Sequence, residues 1–87
     1  MSGEPWFVYV AEAHSGRFYV GMSNDVASRI AAHNAGKGAK MAIRQGPFVL
    51  RFVSRPFETK VAARKREAQI KRWSREKKQK LIDGEWC

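Results

Sequence analysis

A chain of 87 residues has room for one compact domain with a modest core, so a single domain, 1–87, with no appended module is expected. Seventeen Lys and Arg against eight Asp and Glu, a net charge of +9, favour a polyanionic partner, nucleic acid ahead of an anionic membrane surface, because each neutralised phosphate releases condensed counterions. No apolar run approaches the roughly 20 residues of a spanning helix, the N-terminus lacks a secretory signal pattern, and the one cysteine, Cys87, excludes an internal disulfide or a cysteine-rich zinc site; a soluble, cytoplasmic chain is expected.

The first element runs from Trp6 to Ala11. It is apolar on both alternating sets, Phe7/Tyr9/Ala11 and Trp6/Val8/Val10, which suits a central strand covered on both faces. His14-Ser15-Gly16 supplies turn residues and Phe18-Tyr19-Val20 resumes β-favouring composition, so the two runs form a hairpin. A three-residue loop at 13–15 sets Tyr9 directly opposite Tyr19, while a four-residue loop places them on a diagonal. Ser23, Asn24 and Asp25 are candidate caps, and Val26, Ile30 and His33 recur at i, i+4 and i+7, predicting a helix from about Asp25 to Asn34 with Arg29 and His33 on one face. Gly36, Gly38 and Gly46-Pro47 mark a long loop holding Lys37, Lys40 and Arg44. Phe48 to Val53 reads as a third strand, ended by Pro56. A second helix is predicted from about Glu58 to Trp73, and Ser74 caps a short third one through Leu81-Ile82 before Gly84. Residues 60–80 hold ten Lys and Arg and only two acids, Glu67 and Glu76, which makes the C-terminal third the electrostatic footprint.

Two tyrosines, an arginine, a histidine and a lone acid in a basic helix are the residue types that phosphodiester cleavage asks for. That reaction needs an activated water, positive charge where the phosphorane forms, and help for the leaving oxygen. A phenol titrating near about 10 is a poor base at neutral pH, but a guanidinium or metal-bound water beside it favours the phenolate. Tyr19 is assigned that role. Arg29 would then face the phosphorane charge and His33, one turn later, the nucleophile or leaving group. Each has a plainer alternative: strand tyrosines that only pack, an arginine that snorkels to solvent, a histidine that only caps. Glu67 lies within about 40–60° of Ala63 and Ile70 on a helical wheel, at the edge of the inward stripe. It is either an ion-pair partner of Lys71 or Arg64, or the one carboxylate that holds Mg²⁺ or Mn²⁺ largely through waters and substrate phosphate.

In order and spacing, Phe7-Val8-Tyr9, Tyr19-Val20-Gly21, Ser28-Arg29-Ile30, His33-Asn34 and Glu67 within Arg66-Glu67-Ala68-Gln69-Ile70-Lys71 resemble the GIY-YIG nucleases, in particular small single-domain bacterial members, over nearly the whole chain. The resemblance implies an α+β fold of order β-β-α-β-α-α, a three-stranded antiparallel sheet flanked by helices. It also implies that Tyr9, Tyr19, Arg29, His33 and Glu67 surround one divalent cation. Gly21 would then leave the strand end open to the scissile phosphate, since it lacks Cβ. The first motif begins at Phe7 instead of glycine, and Met22 follows Gly21 where some members place lysine, a role left to Lys37 or Lys40. The expectation is a Mg²⁺- or Mn²⁺-dependent endonuclease that acts on DNA, in preference to RNA, with little regard to sequence; Gly21, Lys37, Lys40, Arg44, Arg64 and Lys71 are its candidate substrate contacts. The rival is a nucleic-acid-binding module that keeps the scaffold and cleaves nothing. A third class, an adaptor for an acidic protein, leaves the tyrosines, Arg29 and His33 unexplained.

Overall fold

A computed structural model describes residues 4–34 and 47–84. Its elements are β1 (Phe7–Glu12), β2 (Phe18–Ser23), α1 (Val26–Asn34), β3 (Val49–Val53), α2 (Lys60–Lys71) and α3 (Arg75–Ile82), the order expected from the sequence. The strands form one antiparallel sheet in the order β2-β1-β3. The doubly apolar β1 is indeed central, with Val8 and Val10 fully buried on one face and Tyr9 and Ala11 buried on the other. Each face has its own cover. Tyr9, Ala11 and Ala13 pack with Val26 and Ile30 of α1 and with Phe48, whereas Val8 and Val10 pack with Ala63 and Ile70 of α2 and Leu81 of α3. The result is three layers, with the sheet between α1 and the α2–α3 pair.

The caps explain where the helices start. Asp25 Oδ1 accepts from the Ser28 amide at 3.2 Å at the head of α1, Thr59 Oγ1 from the Ala62 amide at 3.1 Å at α2, and Ser74 Oγ from the Lys77 amide at 3.2 Å at α3. Accordingly α2 begins at Lys60, two residues later than expected, and its C-cap is Arg72.

The hairpin differs from a 13–15 loop by one residue. The Ala13 amide donates to the Arg17 carbonyl and the Gly16 amide to the Ala13 carbonyl, each at 2.8 Å, so the turn occupies residues 14–16. Its last residue, Gly16, has φ +93°, a backbone state that glycine adopts without the strain any side chain would add. The resulting register sets Tyr9 opposite Gly21 and Tyr19 opposite Ala11. The two tyrosines are therefore diagonal neighbours on one face.

β3 contains a bulge that its apolar composition conceals. Val53 and Phe52 pair with Tyr9 and Val10, but Leu50 and Val49 pair with Ala11 and Glu12, so Arg51 is the extra residue. Because of it, Phe48 and Phe52, four residues apart and hence on one side of a regular strand, enter opposite cores. Arg51 Nε reaches Glu12 Oε1 at 2.8 Å.

Candidate active site

Tyr9 and Tyr19 reach the α1 side of the sheet because residues 9, 11, 19 and 21 share one face under the observed register. Tyr9 is 6% exposed. A Cβ on Gly21 would lie 2.5 Å from the Tyr9 hydroxyl oxygen and 2.6 Å from its Cζ, closer than packed atoms approach. Gly21 thus sits inside β2, and the volume that a side chain there would take is filled by the Tyr9 phenol; the expected opening at a strand end is not how this glycine is used. Tyr19 is half-buried and meets the Phe48 ring edge to face, centroids 5.4 Å apart at 85°.

Phe48 is itself fixed from α1. Asn34, the last residue of that helix, accepts from the Phe48 amide at 2.6 Å through Oδ1 and donates to the Phe48 carbonyl at 3.0 Å through Nδ2. One carboxamide satisfies both polar groups of a single residue. Sequence alone does not reveal this support, because Asn34 reads there only as part of a motif and Phe48 only as a strand residue. The partner lies 14 residues away across a loop, so no local pattern announces it.

α1 packs on this face through Val26 and Ile30. At 100° per residue Arg29 sits about 60° from Val26, on the margin of that stripe, and His33 falls about 40° from Arg29. Arg29 is exposed, as a cation meant to meet substrate would be; His33 occupies the last turn of α1. Lys37, Lys40 and Arg44 lie outside the described residues.

Glu67 comes from the other layer. α2 packs against β1 and β2 on the face opposite α1, and β2, the edge strand bearing Tyr19, contacts both helices. The Glu67 side chain is 18% exposed, and its Oε2 lies 3.6 Å from Lys71 Nζ, beyond hydrogen-bond range but close enough for an ion pair. Arg64 and Lys71 are exposed on the same helix. Lys71 is 56% exposed and gains little from so long a pair, so the carboxylate is not committed to it. Among the described residues there is no group of three or more His, Cys, Asp or Glu that could hold a metal ion. A hard cation of the Mg²⁺ type tolerates this, since it binds through one or two carboxylates with waters and phosphate oxygens completing its shell. No helix among the described residues is long and apolar enough to cross a membrane.

The sequence profile of the GIY-YIG catalytic domain matches residues 5–80, a span that contains both tyrosines, Arg29, His33 and Glu67. A UPF0213 protein of Staphylococcus haemolyticus is 40% identical over 77 residues, covering 88% of this chain and 93% of that one. Another, of Halobacterium salinarum, is 43% identical over 75 residues, 86% of this chain and 96% of its own. The solution NMR structure of a UPF0213 protein from Bacillus halodurans is 38% identical and similar in fold, with a TM-score of 0.57 over 91% of this chain and 83% of that one. With the fold order, the paired motifs and a profile match across most of its length in agreement, the chain belongs to the GIY-YIG family, a nuclease-type family, alongside relatives that carry the UPF0213 name.

Proposed function

We propose that this protein is a divalent-metal-dependent endonuclease that hydrolyses phosphodiester bonds in DNA with little sequence preference, acting in the cytoplasm as a single domain. The observation that carries the reading is the pair of tyrosines on one sheet face beneath the helix that bears Arg29 and His33. Tyr19, the more open of the two, acts as its phenolate and becomes a phenol by taking the proton of the attacking water as the water oxygen bonds to phosphorus. Tyr9, packed over Gly21, positions water or phosphate. Arg29 stabilises the charge on the phosphorane, the bond from phosphorus to the leaving sugar oxygen breaks, and His33 assists protonation of that oxygen. Glu67 would hold Mg²⁺ or Mn²⁺, whose charge, when bound, offsets that of the phosphate oxygens. Lys37, Lys40, Arg44, Arg64 and Lys71 are the proposed substrate contacts.

The ion pair between Glu67 and Lys71 favours a second reading, a module that binds nucleic acid without cutting it. Glu67→Gln separates the two. A panel of labelled DNA and RNA structures, incubated at low salt with Mg²⁺, Mn²⁺ or chelator, should be cut by the parent in a metal-dependent way, DNA ahead of RNA. The variant should bind as well or slightly better and cut nothing. Equal cleavage by parent and variant would remove Glu67 from the metal site and leave the ion pair as its role.

A further inference from the structure

α2 carries a second feature on the flank turned away from Glu67. Lys65, Arg66, Gln69, Arg72 and Trp73 are among the residues lining an open groove of about 760 Å³. At 100° per residue, Lys65, Gln69 and Arg72 centre about 130° around the helix axis from Arg64, Glu67 and Lys71, so this groove is no part of the candidate active site.

Its walls are arranged. The Arg66 guanidinium carbon lies 5.1 Å from the centre of the Trp73 ring and its Nη1 donates to Gln69 Oε1 at 2.6 Å, while Lys77 Nζ is 4.3 Å from the same ring. Trp73 also packs against the core beneath α2. An anchored ring that already gathers cations serves as a mount for them, and mounting Arg66 before binding lowers the side-chain entropy lost on binding. Lys65 and Arg72 are exposed, two turns apart, with an axial separation of about 10.5 Å. That separation lets the two cations meet different phosphates of one backbone. A groove this open encloses no small molecule, and its cations suit an extended polyanion.

We propose that this groove is a second nucleic-acid contact, in which Lys65, Arg66 and Arg72 hold the sugar-phosphate backbone of duplex DNA away from the scissile bond. It rests on the reading that the substrate is nucleic acid. Such contacts set the substrate's position without reading its bases.

The test is binding of a short labelled DNA duplex, without metal, across a salt series. Proteins compared are the parent, Lys65→Gln/Arg72→Gln, and a charge-matched pair elsewhere, Arg17→Gln/Arg55→Gln. Losing two phosphate contacts should flatten the slope of log affinity against log salt by about 1.8, so that between about 50 and 200 mM salt the parent loses about tenfold more affinity than the variant. The charge-matched pair should keep the parental slope. Equal flattening in both pairs would reduce the groove to a share of net charge and overturn the proposal, as would a parental slope in the groove variant. Because the readout needs no cleavage, a protein that binds through the groove and never cuts would defeat the nuclease reading alone. A protein that cuts DNA while the groove variant binds like the parent would defeat the groove alone. Binding of polyglutamate but not of DNA would overturn both.

Discussion

Tyr9 and Tyr19 present the same phenol from the same sheet face, yet their surroundings give them unlike work. Tyr9 is 6% exposed, and its ring occupies the space over Gly21, so its hydroxyl is held by packing. Tyr19 lies on the edge strand, half-buried, at the margin of the same core and with its ring edge to face against Phe48. A base must reach solvent water, which favours Tyr19. Tyr19→Phe should lower the single-turnover rate with Mg²⁺ by about 10²–10⁴-fold, the usual weight of a general base. Its stability should change far less than the roughly 3–5 kcal/mol of deleting a buried aromatic ring. Tyr9→Phe should lose less activity. Rates measured on variants shown to be folded by circular dichroism and to bind DNA decide this: a parental rate in Tyr19→Phe excludes it as the base, and a larger loss in Tyr9→Phe exchanges the two roles.

Between elements, two devices hold the tyrosine face together. Asn34 ties the end of α1 to the start of β3 and so fixes the ring against which Tyr19 leans. Asn34→Ala should cost about 1–3 kcal/mol, the range for leaving buried polar groups unpaired, and should slow cleavage while DNA binding persists. Urea unfolding beside single-turnover rates measures both effects, and an unchanged pair of values would mean that the clamp supports nothing. The bulge is the second device. Deleting Arg51 leaves Phe52 opposite Val10 and Leu50 opposite Ala11 in a regular ladder, with Phe48 and Phe52 three residues apart and still on opposite faces, so the deletion should cost far less than the roughly 3–5 kcal/mol of losing a buried aromatic ring. Arg51→Ala loses only an exposed ion pair with Glu12 and should cost under about 1 kcal/mol. A deletion that costs as much as losing a buried ring, measured by urea unfolding, would mean that the bulge itself is needed to keep the two phenylalanines in their cores.

At the level of the whole molecule, the governing quantity is a net charge of +9 on 87 residues. Recognition led by phosphate contacts falls steeply with salt and is blind to sequence. Affinity for DNA should therefore drop by orders of magnitude across a salt series, and competitor duplexes of scrambled sequence should displace the probe equally. Salt-independent binding, or marked preference for one short sequence at fixed structure, would contradict it.

Much of this was legible along the chain because it depends on near neighbours. The two apolar sets of β1 establish a central strand, Asp25 and Ser74 begin helices by capping their own amides, and the motif order with Glu67 identifies the family's candidate site. Other features depend on partners far apart in sequence, where no local periodicity reaches. The turn at residues 14–16 decided between opposed and diagonal tyrosines in favour of diagonal, since one residue of slip resets every cross-strand pair. Gly21 needed its cross-strand neighbour before its missing side chain had a purpose, Asn34 needed Phe48, and the split of Phe48 from Phe52 needed the bulge. Composition and local pattern thus established the elements and the kinds of chemistry they carry; register and layer packing decided which phenol is open, which is held, and that Glu67 comes from the layer opposite α1.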